Sequence, residues 1–211
     1  MTTVYYVHHS LKENGEDKFN SVTQSFPQEP DLEMLSTKDY GASFAKIWPR
    51  DFTVKPLSKR KKIGDLLLVN PFLIISEKAY FSLNEILKEN GEFLSVFCRE
   101  INGLKAYNPI KCLDVLNKSK CEFSFLGKGE LKRPTKVLSY DFMEERITAP
   151  IFRIKEDPGL FVTDEFVELV RQSNLKGFGF RRLWNSKEGR VHSRISLTGD
   201  GFLPEEEDYN W

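Results

Sequence analysis

Residues 151–180 read IFRIKEDPGLFVTDEFVELVRQSNLKGFGF, and this stretch determines the predicted fold. Apolar and polar side chains alternate over residues 151–155, as they do along a half-buried strand. The sequence Asp157-Pro158-Gly159 is typical of a turn, and residues 160–162 form another short apolar run. The stretch therefore begins with two short strands that are joined by a tight turn.

A helix is predicted directly after the second strand. Thr163 stands at the N-cap position, and Asp164 and Glu165 place negative charge in the first turn, where it interacts favourably with the helix dipole. The helix ends near Asn174, and residues 177–180 predict a return to strand. Its apolar face consists of Phe166, Val167, Leu169 and Val170.

An earlier segment has the same order of elements. Residues 73–75 form a short apolar run, Ser76 occupies the N-cap position, and Glu77 follows it. Asn90-Gly91 predicts a left-handed helix end, and residues 93–97 predict a strand. Two interpretations stay open: an ancient duplication, or two independent units that converged on the same capping chemistry. Apolar residues recur at helical spacing between the cap and the stop: Ala79, Tyr80, Leu83, Ile86 and Leu87.

The rest of the chain gives shorter predicted elements. Residues 1–9 predict an edge-forming or opening strand, and Asn102-Gly103 predicts a two-residue hairpin turn after residues 93–97. Short helices are predicted at residues 31–39 and 110–116. A strand at residues 121–125 is followed by a turn at Gly127-Lys128-Gly129.

These elements predict a single α+β domain over residues 1–211. It contains short, mostly antiparallel strands and about three helices, with two similar strand-cap-helix-strand units. The expected core includes Leu73, Ile75, Leu83, Leu87, Phe152, Ile154, Phe161, Val162, Phe166 and Val170.

Composition limits the class of protein. Of the 211 residues 40% are hydrophobic, and 31 basic and 31 acidic residues give a net charge of zero. Disordered, collagen-like and disulfide-scaffold classes are excluded, and the balanced charge does not favour a nucleic-acid partner. Cys98, Cys112 and Cys121 are odd in number and lack metal-ligand spacing, which fits a reduced cytoplasmic protein. No membrane span is expected, because the longest apolar stretch, residues 66–75, falls well short of about 20 residues.

No motif in the chain predicts catalytic, cofactor-binding or metal-binding residues. The sequence Lys176-Gly177-Phe178-Gly179-Phe180 begins like an RNA-recognition signature, but the signature's second half is not matched. Phe178 and Phe180 are therefore interpreted as core residues. His8 and His9 would point to opposite faces of a strand, which does not favour a shared metal ion.

Charge is concentrated in three segments. Residues 46–62 carry seven basic side chains against Asp51, and residues 176–194 carry six against Glu188. Both could contact phosphates. The chain ends in an acidic, aromatic tail at residues 204–211, and aromatic residues flanked by charge are common interface anchors. Solvated surface is the alternative interpretation for all three. The candidate partner-binding residues of the tail are Glu205, Glu206, Glu207, Asp208, Tyr209 and Trp211.

Several segments in this order resemble a bacterial family, the immunity proteins of polymorphic toxin systems, family eleven, first described as a domain of unknown function. The resemblance covers roughly residues 63–183 and leaves residues 1–62 as an N-terminal extension. Its motifs are mostly apolar and capping residues, so it concerns a shared fold more than a shared site. The matching segments are DLLL (65–68), FLIISE (72–77), YNPI (107–110), LDVL (113–116), IFRIK (151–155), LFVTDEF (160–166) and NLKGF (174–178).

The resemblance implies a cytoplasmic protein that binds and neutralises a cognate toxin stoichiometrically, with no catalysis and no cofactor. Two other classes stay open from the residues themselves. One is a nucleic-acid-binding module that uses residues 46–62 and 176–194, and the other is an enzyme whose site residues are dispersed along the chain.

Overall fold

The computed structural model describes residues 1–10, 12–13, 16–17, 19–24, 41–58, 61–68, 72–126, 133–190 and 208–210. At residues 12–13, 16–17, 24, 133–135 and 208–210 it describes the backbone. The predicted helix at residues 31–39 and the predicted turn at Gly127-Lys128-Gly129 lie outside the described residues.

Short strands dominate the described residues, which also contain two α-helices, α1 (Glu77–Lys88) and α2 (Asp164–Gln172), and a 3-10 turn, Glu144–Arg146. The α+β class and the mostly antiparallel pairing agree with the prediction. In chain order the strands are β1 (Thr3–His9), β2 (Lys12–Glu13), β3 (Glu16–Asp17), β4 (Val22–Gln24), β5 (Thr53–Pro56), β6 (Leu66–Leu68), β7 (Leu73–Ile75), β8 (Gly91–Ser95), β9 (Phe97–Cys98), β10 (Lys105–Pro109), β11 (Glu122–Leu126), β12 (Arg133–Ser139), β13 (Ile151–Ile154), β14 (Asp157–Thr163), β15 (Phe178–Asn185), β16 (Gly189–Arg190) and β17 (Asp208–Asn210).

The largest sheet has six strands, in the order β13-β14-β1-β15-β16, and β17 also pairs with β15. Strand β1 is antiparallel to both of its neighbours, with Tyr5 opposite Val162 on one side and Val7 opposite Phe180 on the other. Residues 1–9 are predicted to form an edge-forming or opening strand. Their first alternative, an edge position, is wrong, because partners from residues 157–185 cover both edges of β1. The segment assigned to an N-terminal extension thus contributes a central strand.

A second sheet has four antiparallel strands in the order β6-β7-β10-β8. The short strands β4, β5 and β9 form a third sheet, in which β5 and β9 run parallel. Two further antiparallel pairs, β2 with β3 and β11 with β12, complete the described strands.

Helix α1 begins as its sequence predicts. Ser76 is the N-cap residue, and its hydroxyl accepts a 3.1 Å hydrogen bond from the Ala79 amide. The predicted left-handed end at Asn90-Gly91 is wrong. Instead, the Asn90 side chain donates to the Ile86 carbonyl at 2.7 Å, and Gly91 already pairs with Pro109 in the second sheet.

Helix α2 has the predicted position but a different N-terminus. Thr163 is its N-cap residue, yet the Thr163 side chain makes no capping hydrogen bond. The Asp164 carboxylate accepts hydrogen bonds from the Thr3 amide at 2.6 Å and from the Tyr5 hydroxyl at 3.2 Å, which ties this helix end to β1. Asn174 adopts a left-handed conformation with φ of 48° and ends the turn that follows the helix.

All ten predicted core residues are buried, and Phe178 and Phe180 are buried with them. They belong to two clusters. The first lies where α1 and α2 pack on the sheets and includes Leu83, Val162, Phe166 and Phe178. The second contains Phe152, Ile154 and Phe161 together with side chains from residues 115–149. A third cluster, around Phe52 and Phe72, lies against the four-stranded sheet.

Residues 110–116 are not the predicted short helix. Cys112 forms a parallel bridge with Arg153, and the Leu113 amide donates to the Arg153 carbonyl at 2.9 Å. Leu116 forms an antiparallel bridge with Phe142. Backbone partners from other segments therefore replace the hydrogen bonds of a helix, while Val115 and Leu116 remain buried in the second cluster.

The Asn102-Gly103 turn is part of a longer connection than the predicted two-residue hairpin. Ser95 pairs with Lys105, so the residues between them form the connection between β8 and β10. Strand β9 lies within that connection and pairs with β5. Gly103 keeps the left-handed conformation expected of such a turn, with φ of 73°.

Asp65 joins the two large sheets at the start of β6. Its carboxylate accepts hydrogen bonds from the Ser76 hydroxyl at 2.6 Å and from the Lys176 amide at 2.8 Å. Close by, Gly177 has φ of 87°, and a Cβ at this position would lie 2.7 Å from the Leu66 carbonyl oxygen. Glycine is therefore required for β6 to approach the segment that leads into β15.

Candidate functional site

The acidic tail reaches the largest sheet through its last described residues. Asp208 and Tyr209 lie in β17, which pairs antiparallel with β15 so that Asp208 is opposite Arg181 and Tyr209 is opposite Phe180. The other four predicted partner-binding residues, Glu205, Glu206, Glu207 and Trp211, lie outside the described residues. The backbone of residues 208–210 is thus held at the edge of β15.

Several cations of the second basic segment have partners inside the protein. The Arg181 guanidinium lies 5.1 Å from the centre of the Tyr6 ring, a cation–π distance. Arg182 forms an ion pair with Glu188, and Arg190 forms one with Glu122 at 3.0 Å. Because acidic or aromatic groups already contact these guanidinium groups, fewer of them are available to a phosphate backbone.

The first basic segment combines charge with apolar surface. Lys46, Arg50 and Lys55 are exposed, and so are Ile47 and Leu57 on the same segment. Pro49 and Pro56 interrupt helix formation as predicted, and residues 53–56 form β5. The segment is held in place by Trp48, whose indole N–H donates to the Ser95 carbonyl at 2.7 Å and whose ring packs on Phe52.

An apolar surface that the sequence analysis did not identify lies on the hairpin of β11 and β12. Phe123 and Val137 attach the hairpin to the second core cluster. Further along β11, Phe125 and Leu126 are 49% and 57% exposed. Phe125 lies two residues after Phe123, with their ring centres 6.5 Å apart, so alternation places both on one face of the strand. Leu126 follows Phe125 directly and therefore lies on the opposite face of the strand. The sequence predicted the strand, but only the tertiary structure shows that Phe125 and Leu126 are exposed while Phe123 packs on the core.

A buried polar cluster lies at the start of β14 in the largest sheet. The Tyr140 hydroxyl donates to the Asp157 carboxylate at 2.7 Å, and the Gly159 amide donates to the other oxygen at 2.7 Å. Burial, followed by the negative charge of Asp157, raises the pKa of Tyr140 and also the pKa of Tyr6. Both tyrosines are therefore neutral near neutral pH, and the hydrogen bond that Tyr140 donates to Asp157 suits a structural network around the β13–β14 turn.

His8 and His9 lie on β1 as predicted. The ring of His8 packs over Gly179, where a Cβ would lie 2.2 Å from its Cε1 atom. Burial and then the neighbouring His8 lower the pKa of His9 to about 4, so His9 is neutral at physiological pH. No group of three or more metal-ligating side chains occurs among the residues that the structure describes.

The cysteines are all thiols. Cys98 is buried, whereas Cys112 and Cys121 are partly buried. Burial raises the pKa of each thiol, which keeps it protonated near neutral pH. Cys121 additionally accepts a hydrogen bond from the Asp141 amide at 3.3 Å, so its surroundings are those of a packed structural cysteine.

A cavity of about 350 Å³ opens beside the N-terminus of α2. Met1 and Thr2 line one side, Ile147, Thr148, Ala149 and Pro150 line another, and Thr163, Asp164 and Glu165 complete it. Its volume is at the lower end of the range of small-molecule sites, about 300–1,000 Å³. The lining combines apolar side chains, hydroxyl groups and two carboxylates.

No protein-family model matches the chain, and no curated protein matches it.

In the part of the chain that the structure describes, none of the helices is long and apolar enough to span a membrane.

Proposed function

We propose that the protein is an immunity protein that binds and neutralises a cognate bacterial toxin stoichiometrically, without catalysis. The resemblance of residues 63–183 to the immunity family suggests the function. The structural observation that carries the proposal is the pair of exposed apolar side chains at the end of β11, Phe125 and Leu126, which are 49% and 57% exposed and lie on opposite faces of the strand. Exposed aromatic and aliphatic side chains on an anchored element are what a protein partner covers at the centre of an interface.

The acidic tail is the second part of the proposed binding surface. Glu205, Glu206, Glu207, Asp208, Tyr209 and Trp211 supply negative charge and aromatic area, which together attract and anchor a basic protein surface. Pairing of β17 with β15 restricts the backbone of residues 208–210 before the partner arrives. Such restriction lowers the entropic cost of binding.

Neutralisation by binding requires a rigid, complementary surface rather than transition-state stabilisation. The hairpin meets this requirement through Val137, which is fully buried, and Phe123, which packs on the same core. We expect the toxin to cover the apolar residues of the hairpin and thereby lose access to its own target. The proposed partner is thus a cytoplasmic protein toxin, and the immunity protein acts in the cytoplasm.

A nucleic-acid-binding module is the second candidate function. Lys46, Arg50 and Lys55 are exposed cations that favour it. Opposing it, Arg182 and Arg190 of the other basic segment are already in ion pairs. A series of gel shifts with nucleic acid at increasing salt concentration separates the two candidates. A nucleic-acid-binding module should show an affinity that falls steeply with salt on a log–log plot, because phosphate contacts release counterions. A protein that binds only a toxin should show no such slope.

We also propose that the two strand–helix–strand segments are similar units. In the first, β7 precedes α1 and β8 follows it, with β10 lying between the two strands in the sheet. In the second, β14 precedes α2 and β15 follows it, with β1 lying between them. The corresponding positions of β10 and β1 support a common architecture, although only the first unit has a side-chain N-cap bond.

Protection from a toxin tests the function. The toxin domain is taken from the secreted-toxin gene beside the protein's own gene and expressed in a sensitive bacterium together with the protein. We expect full protection by the native protein and its loss with the double variant Phe125→Ser, Leu126→Ser. Phe81→Ser, which removes an exposed ring from α1 that is 70% exposed, is the control and should protect fully. Absence of a toxin gene from the neighbourhood, or no protection, would contradict the proposal.

A further inference from the structure

The third sheet has an outer face that carries an exposed aromatic ring. In the parallel register of β5 and β9, Val54 lies opposite Cys98, and both side chains are buried in the third core cluster. Thr53 lies opposite Phe97, one residue earlier on each strand. Because successive side chains of a strand point to opposite faces, Phe97 points away from the core. Its side chain is 62% exposed, so this face is open to a partner.

The far end of β5 adds a second apolar side chain and a cation to the same face. The Leu57 amide donates to the Ser21 carbonyl at 2.9 Å and thereby continues the antiparallel pairing of β5 with β4. Alternation from the buried Val54 places Lys55 and Leu57 on the outer face. Lys55 is exposed, and Leu57 is 65% exposed. Apolar and cationic side chains therefore lie close together on this face.

Residues 46–50 lie beside the start of both strands. The Trp48 indole N–H donates to the Ser95 carbonyl at 2.7 Å, just before β9, and the Trp48 ring centre lies 4.4 Å from that of Phe52, the residue before β5. Residues 46–50, the outer side of the two strands, and Arg99, which directly follows β9, together form one surface, the β5–β9 face.

The β5–β9 face carries more positive than negative charge. Residues 46–57 and 97–100 contain four basic and two acidic side chains. All four basic side chains are exposed, and none of them forms an ion pair with the residues that the structure describes. The basic residues are Lys46, Arg50, Lys55 and Arg99, and the acidic residues are Asp51 and Glu100. An anionic partner therefore complements the charge of this face.

We propose that the β5–β9 face binds the surface of an anionic phospholipid bilayer. Its cations contact the lipid phosphates, and each basic side chain close to an anionic bilayer adds to the attraction. Leu57 and Phe97 enter the boundary between headgroups and acyl chains, which removes their apolar area from water. The face uses none of the residues that we propose to contact the toxin, so this inference goes beyond the proposed function and is tested separately.

The exposed apolar side chains favour a bilayer over a nucleic acid. Single-stranded nucleic acids bind to such surfaces by stacking successive bases on aromatic rings. Here Phe97 supplies a ring, but Leu57 and Ile47, which are 65% and 45% exposed, are aliphatic and offer no ring for stacking. Aliphatic side chains next to cations suit a lipid headgroup region, where both kinds of group gain from binding.

Sedimentation with vesicles tests the proposal on the purified full-length protein. One set of vesicles contains only phosphatidylcholine, and the other also contains phosphatidylglycerol, at about one third of the lipid, which makes the surface anionic. At low ionic strength we expect binding to the anionic vesicles that is at least about tenfold tighter than binding to the neutral ones, and high salt should weaken it. No binding to the anionic vesicles, or equal binding to both sets, would overturn the proposal.

A pair of charge variants assigns the binding to this face. The double variant Lys55→Gln, Arg99→Gln should weaken binding to anionic vesicles about tenfold or more, because each basic residue near the bilayer contributes about a fivefold factor. Lys111→Gln, Lys120→Gln removes the same charge from two other exposed lysines and is the matched control, which should bind like the native protein. Equal weakening by the two double variants would mean that the net charge of the protein, not this face, determines binding.

A pair of apolar variants tests insertion. Leu57→Ser, Phe97→Ser should weaken vesicle binding about tenfold or more, since bound apolar area contributes alongside charge. Phe81→Ser removes a ring that is 70% exposed on α1, and it should bind vesicles like the native protein. Thermal melting of each variant establishes that it is folded. If a folded Leu57→Ser, Phe97→Ser variant binds as tightly as the native protein, the face does not enter the bilayer.

An oligothymidine strand with a fluorescent label is the competing probe. We expect the native protein to bind anionic vesicles more tightly than this strand, and excess strand should not release it from the vesicles. Binding of the strand that is lost in Lys55→Gln, Arg99→Gln, together with no binding to anionic vesicles, would identify the face as a nucleic-acid surface and overturn the proposal.

Discussion

Asp65 Oδ2 accepts a 2.8 Å hydrogen bond from the backbone amide of Lys176, 111 residues further along the chain. The other oxygen, Oδ1, accepts from the Ser76 hydroxyl at 2.6 Å. One half-buried carboxylate thus joins β6, the N-terminus of α1 and the segment before β15. We expect Asp65→Ala to lower the free energy of unfolding by about 2–3 kcal/mol, because hydrogen bonds to a charged group are lost and a partly buried amide loses its partner.

Chemical denaturation monitored by circular dichroism measures this loss. Asp51→Ala is the matched control, since Asp51 is exposed and its structural hydrogen bond uses the backbone carbonyl. We expect the control to change stability by less than about 0.5 kcal/mol. Equal destabilisation by both variants would show that Asp65 does not join the two sheets.

The N-terminal strand should be essential for folding. Val4 and Val7 are fully buried, and β1 hydrogen-bonds to both β14 and β15. Removing residues 1–10 would split the largest sheet and expose its core. We expect the truncated chain to lack a cooperative thermal transition, whereas Thr2→Ala should melt like the native protein. A cooperative transition in the truncated chain would mean that residues 1–10 are a dispensable extension.

Local patterns explain why much of the fold could be predicted. The apolar spacing of Leu83 and Leu87 and the cap at Ser76 act within a few residues, so the sequence predicts α1 well. The same holds for α2, for the burial of Phe178 and Phe180, and for the strand around Phe123. Each of these features depends on neighbours in sequence.

Features that depend on distant partners could not be predicted. β1 lies in the centre of its sheet because residues 157–185 flank it, and no local signal specifies that pairing. Residues 110–116 have helical apolar spacing, but Arg153 and Phe142 supply competing backbone partners. At the candidate site, the exposure of Phe125 and the lining of the cavity at Thr163 depend on which segments pack nearby.

The two helix caps should differ in energy although their sequences are alike. The Ser76 hydroxyl accepts from the Ala79 amide, so Ser76→Ala should destabilise the protein by about 1–2 kcal/mol. The Thr163 hydroxyl makes no capping bond, so replacing it by a methyl group removes no hydrogen bond from the helix end. We therefore expect Thr163→Val to leave the melting temperature unchanged or to raise it. A loss comparable to that of Ser76→Ala would contradict the observed cap geometry.

Stability should fall in mild acid because of His9. Burial lowers the pKa of His9 to about 4, while an unfolded histidine has its ordinary value of 6.5. As pH falls from 6.5 to 4, the unfolded chain therefore binds a proton that the folded protein does not, and the free energy of unfolding decreases by up to about 3 kcal/mol. Below pH 4 both states are protonated and this contribution is constant.

Comparison with His9→Gln isolates this effect from the carboxylates, which titrate in the same range. The difference in unfolding free energy between the native protein and the variant should be constant above pH 7 and should change between pH 6.5 and 4. Urea unfolding at half-unit intervals of pH measures it. A difference that stays constant over the whole range would mean that His9 keeps its ordinary pKa in the folded protein.

Titration calorimetry of the purified protein with the toxin domain encoded beside its gene tests stoichiometric neutralisation most directly. We predict a one-to-one complex with a dissociation constant of about 10⁻⁸ M or tighter, in the range of specific standard-size interfaces. The Phe125→Ser, Leu126→Ser variant should bind at least about tenfold more weakly, in line with the loss of a hot-spot residue. No heat of binding, or inactivation of many toxin molecules by one molecule of the protein, would contradict stoichiometric neutralisation.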